Sequence, residues 1–557
     1  MSHDVVIRNG FVVDGSGLGA YRADVGIVGD RIATIGRIPE QRTVDIDADG
    51  QVVTPGFIDV HTHFDAQIFW DAPGTNSCWH GVTTAVMGNC GFTLAPASAD
   101  EAALVVRNLE RAEDISGVAL AAGIDWSWTT YPEFLDTVDR LPKGINYASL
   151  LGHSALRTHV MGQRAFEEEA TDDDLRAMAA QLREGLEAGA AGFSTSRTVN
   201  HMTSDDRPVA SRIAAWSEVD HLVRVVGDTG QGAFQYVEDL APPDRAEARR
   251  DELIALAAET GVPFMMAAMR IPATRTLDLA AERGARFVGV AHPRGIGAMS
   301  SFRTQLPFDR LPVWTEFRAL PLDEQLRQLR DPDVVARLVR AENEATYAEA
   351  FGGEARPPEF ERMIVLDAPV PPHPTVAEAA RARGVGPVEC MIQLAVETNL
   401  DQFFVQTFFP FDHEEAAQVL RHRHVVMGFS DSGAHVSQMS DSSIQTHMLA
   451  HWVRDCGEFT FEEAVRMMTL APARAWGFHD RGMVREGLVA DLNVIDPATV
   501  APAMPSVVHD LPGGETRIAQ KATGIAATLV RGRVTIRDGE HTGDFPGELI
   551  RTHSAHR

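Results

Sequence analysis

The sequence predicts an α/β protein: a (β/α)8 TIM-like barrel with a small β-sandwich domain built from both chain ends. Through the middle of the chain, apolar runs of strand length alternate with helix-like stretches, which is typical of βα units around a parallel sheet. Eight such units can be counted, the number that this kind of barrel needs. Near both ends, short strand-like runs are separated by turn residues instead.

The N-terminal segment is expected to begin the β-domain. Its run Asp4–Arg8 is followed by Asn9-Gly10, a hairpin turn signal, and then by the run Phe11–Asp14. Runs of the same kind occur close to the C-terminus. We expect residues 1–54 and 485–545 to form one composite domain; two separate β pieces that cap the ends are the alternative.

The barrel is expected to occupy residues 55–484. Helical composition between its strands is clearest over Asp172–Ala188 and Arg245–Glu259. The segment from about 300 to 420 is too long for one βα connection, so we expect a large insertion with extra helices near the active-site mouth. The candidate strands are Phe57–His63, Thr83–Cys90, Tyr147–His153, Ala191–Ser196, Ala233–Val237, Pro263–Met269, Phe287–His292 and Val425–Asp431.

Composition limits the kinds of partner. The 557 residues include 50 Lys and Arg against 78 Asp and Glu, and the net charge of −28 argues against nucleic acid or an anionic membrane as a partner. Charged residues interrupt every apolar stretch before it reaches membrane-spanning length. The four cysteines do not indicate a disulfide framework, and the N-terminus lacks the pattern of a signal peptide. We expect a cytoplasmic protein that acts on a small molecule, with a homo-oligomer left open.

The strongest local signal is the pair His61 and His63 at the end of the first candidate strand. Strand side chains repeat every two residues, so both imidazoles point the same way and can bind one metal ion. Barrel active sites lie at this carboxyl end of the strands. Two histidines on a solvated face are the alternative, but the Pro55-Gly56 turn before the apolar strand favours a metal site.

A second signal lies far along the chain, where the eighth candidate strand ends at Asp431. A carboxylate beside a metal can ligate the ion and accept a proton from bound water. Taken alone, Ser430-Asp431 would be interpreted as a helix cap. The first and eighth strands are neighbours in a closed barrel, so Asp431 is predicted to face His61 and His63.

Together these motifs resemble the amidohydrolase superfamily, and more closely its D-aminoacylase or N-acyl-D-amino-acid deacylase branch. The resemblance extends over nearly the whole chain, apart from much of 300–420. The segments that carry it are Gly56–Gln67, Gly81–Thr84, Gly88–Phe92, Gly152–Arg157, Gly192–Ser196, Ser430-Asp431, Ala471–Phe478 and Gly487–Leu492.

The resemblance implies a zinc-dependent amide hydrolase. His61 and His63 would hold the zinc ion, Cys90 would be a thiolate ligand, and Asp431 would be both ligand and general base. A thiolate is a good zinc ligand, although most free cysteines are simply buried apolar residues.

Two departures from the family's pattern concern a second metal position. The family places one histidine on the fifth strand and one on the sixth, whereas Gly232–Glu238 and Pro263–Arg270 contain none. Methionine or alanine cannot replace an imidazole on zinc. We therefore predict one zinc ion per chain, with a second site either absent or built from unexpected groups.

Further candidates are expected around this centre. His153 would be catalytic, by orienting the substrate or stabilising the oxyanion, unless it is a core histidine. His435 would support Asp431. The predicted substrate-binding residues are Arg270, His292 and Arg197, of which Arg197, like His201, is a weaker candidate; a surface salt bridge is the alternative for Arg270.

The predicted reaction is deacylation of an N-acyl (D-)amino acid or related amide by a metal-activated water. Two alternatives remain open. One is hydrolysis of a cyclic amide or another C–N bond, since the same barrel hosts many substrates. The other is a metal-free binding or structural protein, which the missing histidines would permit.

Overall fold

The computed structural model describes residues 3–39, 44–238, 243–347, 356–438 and 441–552. Within these ranges the chain has a mixed α/β fold with eight strands at its centre, each within three residues of its predicted ends. The strands are β1 (Phe57–Asp59, continued by His61–Thr62), β2 (Val82–Met87), β3 (Asn146–Ser149, continued by Leu151–Gly152), β4 (Gly192–Ser196), β5 (Ala233–Val237), β6 (Phe264–Ala267), β7 (Phe287–Ala291) and β8 (Val425–Met427, continued by Phe429–Ser432).

Neighbouring strands of this set pair in parallel. Each strand from β1 to β7 pairs with the next one along the chain. The second half of β8 then pairs in parallel with the second half of β1, where Phe429 lies opposite His61. The carboxyl ends of β1 and β8, which carry candidate ligands, are therefore adjacent.

The strand side chains pack in two layers, because successive side chains of a strand point to opposite faces. One buried cluster draws on the strand segments from β1 to β8 and includes Ile58, Val86, Ala148, Ala191, Ala233, Met265, Val288 and Val426. The other faces pack against helices, as where Phe193 and Phe234 join Leu182 and Leu222 in the largest cluster. Strands that are buried on both faces explain why the apolar runs in the sequence are nearly continuous.

Helices fill most of the connections. Thr171 caps the helix Asp172–Glu187, since its side chain accepts the N–H of Asp174. None of the helices in the described part of the chain combines the length and apolar character needed to cross a membrane. The α-helices there are Phe64–Gln67, Ala102–Leu109, Gly117–Gly123, Tyr131–Arg140, His153–Met161, Asp172–Glu187, Ala210–Ile213, Trp216–Thr229, Pro243–Thr260, Ile271–Glu282, Pro312–Arg318, Leu322–Gln328, Pro332–Asn343, Val376–Arg383, Pro387–Glu397, His413–Leu420, Ile444–His447, Phe461–Met468 and Leu470–Trp476, and Met448–Asp455 is a π-helix.

Strands from the two chain ends share one sheet. In this seven-stranded sheet, Val52–Pro55 pairs with Leu492–Ile495. A four-stranded sheet of N-terminal strands packs against it through a common apolar core that includes Ile7, Val25, Val53 and Leu529. The strands are Val5–Arg8, Asp24–Val28, Arg31–Gly36 and Val44–Asp47 in the smaller sheet, and Phe11–Val12, Tyr21–Arg22, Val52–Pro55, Leu492–Ile495, Ile525–Val530, Arg533–Arg537 and Glu540–His541 in the larger.

The predicted hairpin at Asn9-Gly10 is wrong. Val5–Arg8 pairs with Asp24–Val28 in the smaller sheet, whereas Phe11–Val12 pairs with Val52–Pro55 in the larger one. The turn therefore carries the chain from one sheet to the other. It passes close to Val53, since a Cβ on Gly10 would lie only 2.6 Å from that side chain. A turn signal predicts a reversal of the chain but does not say which strands pair.

The segment between β7 and β8 has a core of its own. Its strands Gly297–Ser300, Ile364–Leu366 and Phe403–Thr407 form an antiparallel sheet, and its buried cluster is centred on Trp314. Six of the helices given above lie in the described part of this segment.

Candidate metal centre

His61, His63 and Asp431 meet at the carboxyl ends of β1 and β8. The Nε2 atoms of His61 and His63 lie 3.3 and 3.5 Å from Asp431 Oδ1, and both histidines are buried. That carboxylate oxygen is itself buried and has no hydrogen-bond partner among the described residues. Phe429 stacks on the His61 ring with centroids 3.9 Å apart. Two imidazoles aimed at one carboxylate oxygen form an arrangement that suits a shared cation.

Cys90 joins this group from the turn that follows β2. Its Sγ lies 3.3 Å from His61 Nε2. The backbone of Cys90 is left-handed, with φ of 57°, and its N–H donates to the Gln235 side chain at 2.7 Å. Asn89 donates to the Thr62 carbonyl oxygen at 3.1 Å. A left-handed cysteine is strained, so these contacts hold the turn in the shape that aims the thiol at His61.

Burial and neighbouring charges set the protonation of the group. Burial lowers the pKa of His61 to about 3. Burial acts in the same direction on His63, but the charge of Glu113 and the contacts with Asp431 and Cys90 outweigh it and hold its pKa well above the ordinary value. Burial raises the pKa of the Cys90 thiol to about 12, so the thiol needs a cation beside it to ionise at neutral pH.

The carboxyl group of Asp431 is ionised at neutral pH. Burial by itself would raise its pKa, but the contact with His63 and the charges of His61 and His63 outweigh burial and hold the pKa well below its ordinary value. A buried carboxylate that keeps its negative charge can act as a metal ligand and as a proton acceptor.

Glu113 is a member of the site that the sequence did not reveal. It is 1% exposed, and its Oε2 lies 3.6 Å from His63 Nε2 and 3.8 Å from His435 Nε2. Burial raises the pKa of Glu113 to about 8. Glu113 lies between β2 and β3, after the helix Ala102–Leu109, and no motif marks it. Its place in the connection that follows β2 indicated the right edge of the sheet but did not single out this residue.

These groups line a cavity of about 640 Å³. His63, Cys90, Asp431 and His435 all reach it, as do Glu113 and His201. The remaining wall is mixed: its apolar part includes Tyr236, Met266, Met269, Ile296, Phe408 and Phe409, and its charged part includes Glu110, Arg111, Asp114, Asp206, Glu238 and Arg310. Ile296, Phe408 and Phe409 belong to the segment between β7 and β8, so this segment borders the cavity.

His153 does not reach the cavity. It is fully buried at the start of the helix His153–Met161 rather than at the end of a strand. Its Nδ1 is 2.8 Å from Thr195 Oγ1, and its Nε2 is 2.8 Å from Glu218, which also pairs with Arg157. Both ring nitrogens are engaged in this network, which favours the alternative of a core histidine over a direct contact with substrate.

The predicted substrate-binding residues also lie away from the cavity wall. Arg270 is exposed and pairs with Glu415 at 3.3 Å. Arg197 donates to the Ser211 carbonyl oxygen at 3.0 Å. His292 is buried, with its Nε2 3.4 Å from Asp441. None of the three is among the residues that line the cavity, whereas His435 does line it, so a contact of Arg270, Arg197 or His292 with substrate stays a prediction.

The chemistry of the donor set is that of a transition-metal site. The ligand atoms of His61, His63 and Cys90 lie within 4.8 Å of one another, and Asp431 adds a carboxylate oxygen. Imidazole, thiolate and carboxylate are the ligands that proteins use for zinc. The residues present therefore fit a divalent ion.

Comparison with known proteins gives a consistent family assignment. A family model described as "Amidohydrolase family" matches residues 45–536. The D-aminoacylase of Alcaligenes xylosoxydans xylosoxydans is 27% identical over 550 residues, which cover 98% of this chain and 97% of that protein. An N-acyl-D-glutamate deacylase of the same organism is 28% identical over 507 residues, covering 89% and 88%.

A solved structure supports the same assignment. The crystal structure of N-acyl-D-glutamate deacylase from Bordetella bronchiseptica, complexed with zinc and a phosphonate inhibitor, superposes with a TM-score of 0.64 at 25% identity, covering 99% of this chain and 100% of that one. Because the family match spans most of the sequence, this chain belongs to the amidohydrolase family.

Proposed function

We propose that the chain is a metal-dependent hydrolase that removes the acyl group from an N-acyl amino acid, with D-amino acids as the favoured class. The convergence of His61 and His63 on Asp431, with His63 and Asp431 lining the cavity, carries this proposal. The similarity to a D-aminoacylase and an N-acyl-D-glutamate deacylase supports the choice of substrate class. No observation in the described part of the chain favours a cyclic amide or a metal-free role.

The metal in this proposal is a zinc ion. His61, His63 and Asp431 would hold it, with Cys90 as a further ligand. When bound, a divalent ion polarises a substrate carbonyl and lowers the pKa of a bound water toward neutrality. Three protein ligands leave a coordination position for water, and Cys90 as a fourth ligand would require an expanded shell.

Asp431 has the proton-transfer role. Because its carboxylate is ionised at neutral pH, it can accept the proton of the attacking water and then deliver it to the leaving nitrogen. Phe429 stacks on His61 and keeps that ring in place. The apolar wall formed by Met266 and Phe408 suits the acyl chain or an apolar side chain. The products are a carboxylic acid and an amino acid.

We also propose that the eight parallel strands form a closed (β/α)8 barrel. The pairing of β8 with β1 and the buried cluster shared by the strands support closure. Residues 1–54 and 485–545 would form a separate β-domain, since Val52–Pro55 and Leu492–Ile495 lie side by side in one sheet.

A hydrolysis screen tests the proposed function. Untagged protein would be incubated with matched N-acyl-D- and N-acyl-L-amino acids, and with cyclic amides, and amine release would be measured. We expect release from N-acyl-amino acids, lost on chelation and restored by zinc. If only cyclic amides are hydrolysed, the proposed substrate class is wrong. If metal-loaded protein hydrolyses none of these compounds, the proposal is refuted.

A further inference from the structure

The buried carboxylate of Glu113 requires an explanation. Neither of its oxygens has a hydrogen-bond partner among the described residues, although the side chain is 1% exposed. The nearest imidazole nitrogens, on His63 and His435, lie at 3.6 and 3.8 Å, beyond hydrogen-bonding distance. Two imidazoles at ion-pair distance, without a hydrogen bond, compensate a buried carboxylate poorly, so this position favours a closer cation that the carboxylate would ligate.

Two further donor groups lie beside Glu113. The ligand atoms of Cys90, Glu113 and His201 are all within 4.8 Å of one another. The Nδ1 atom of His201 is buried and has no hydrogen-bond partner in the described part of the chain. Thiolate, carboxylate and imidazole together form a ligand set typical of zinc.

Ion pairs hold the two segments of this group together. Arg107 donates to Asp205 at 2.9 and 2.6 Å, which joins the helix before Glu113 to the loop after His201. The His201 ring also lies against Phe92, two residues beyond Cys90, with centroids 5.1 Å apart. The three donors are therefore positioned by contacts outside the group itself.

The fifth and sixth strands cannot supply imidazoles to this region. Gln235 on β5 uses its side-chain oxygen to accept the N–H of Cys90, and β6 presents Met265 and Met266. Glu113 and His201 come from other connections, yet their ligand atoms lie next to the same thiol. A second ion would thus be held by residues from these connections and not by histidines of the fifth and sixth strands.

From this geometry we propose that Cys90, Glu113 and His201 bind a second divalent transition-metal ion, with Cys90 shared between it and the ion held by His61 and His63. The proposal rests on the proposed function for the first ion. It makes Glu113 and His201 metal ligands, although neither lies on a strand.

Metal stoichiometry tests this proposal. Untagged protein would be loaded with zinc chloride, freed of excess metal by gel filtration, and measured by mass spectrometry for zinc per chain. A His451→Gln background is needed because His413, His451 and Cys456 form another group within 4.8 Å that is partly exposed and could collect zinc. We expect two ions in this background and one after adding Glu113→Gln or His201→Gln.

Glu110→Gln is the matched control. It removes the same charge from the same segment and also lines the cavity, but Glu110 is not among the three grouped donors. This variant should still bind two ions. If Glu113→Gln fails to fold, His201→Gln and the background protein remain informative.

The outcomes separate the two proposals. One ion per chain in folded background protein that hydrolyses N-acyl-amino acids would overturn the second site and leave the proposed function standing. Two ions that persist in the folded Glu113→Gln and His201→Gln variants would also overturn it. Two ions reduced to one in those variants, without hydrolysis by any of the proteins, would support the second site and refute the function.

Discussion

At the scale of single residues, Cys90 and Asp431 share an unusual backbone. Both have left-handed φ, 57° and 53°, although neither is glycine. Such conformations cost about 1–3 kcal/mol and persist only where the surroundings enforce them. Here these conformations direct the Cys90 thiol and the Asp431 carboxylate toward His61, so the strained residues are two of the proposed metal ligands.

Replacing Asp431 with Asn tests the proton-transfer role. Because an amide is not a base at neutral pH, we expect Asp431→Asn to lower kcat by about 10²–10⁴-fold. Zinc content and circular dichroism would be measured alongside kcat. Asp228→Asn, which removes the same charge from an exposed helical position, should keep wild-type turnover. Near-normal turnover in Asp431→Asn would remove Asp431 from the mechanism.

Replacing His153 separates a structural role from a catalytic one. His153 bonds to Thr195 and Glu218 inside the protein, so we expect His153→Asn to lower the free energy of unfolding by about 1–3 kcal/mol. The kcat of the folded fraction should stay close to wild type. Thermal denaturation and single-substrate kinetics would check both expectations. A large loss of kcat at unchanged Tm would contradict the structural role.

The residue scale also shows what sequence can predict. The convergence of His61, His63 and Asp431 was predictable because each lies at the end of an apolar strand, and the carboxyl ends of neighbouring parallel strands meet at one edge. Cys90 needed the family resemblance. Glu113 could not be predicted, since its position depends on how the connection from Gly88 to Thr130 folds back, and that path is set by tertiary contacts.

At the scale of elements, the turn after β8 positions the candidate metal centre. Gly433 has φ of +96°, and a Cβ there would lie 2.4 Å from the carbonyl oxygen of His63. Because this contact is with backbone, the neighbouring strand end would have to move. The short turn thus couples the position of Asp431 to that of His63.

Gly433→Ala is therefore expected to disrupt the site. A displacement of about 1 Å can cost about 10²-fold in rate, so we expect a loss of that order in kcat together with weaker zinc binding. Gly384→Ala is the matched control, because Gly384 also has positive φ, +70°, but faces open space. It should cost about 1–2 kcal/mol of stability without a change in kcat. Equal kinetics in the two variants would contradict this coupling.

The errors at this scale have a common physical cause. Periodicity located all eight central strands, because their apolar runs are buried on both faces. It did not show that His153 begins a helix or that Asn9-Gly10 joins two sheets. Strand pairing and the exact ends of strands depend on partners that are distant in the sequence.

At the scale of the whole molecule, three distant regions build one cavity. The end of β1 supplies the His63 imidazole, β8 supplies the Asp431 carboxylate, and the segment between β7 and β8 contributes apolar wall at Phe408 and Phe409. The alternation of strands and helices in the sequence predicted the contributions of β1 and β8. The insertion could be located by its length, but which of its residues face the cavity depends on its own core around Trp314.

Anomalous X-ray diffraction tests the central claim most directly. Crystals of untagged, zinc-loaded protein would be measured above and below the zinc absorption edge, and protein from dissolved crystals would be assayed for amine release. We predict an anomalous peak within coordination distance of His61, His63 and Asp431. Active crystals without any anomalous peak at these three residues would contradict the account.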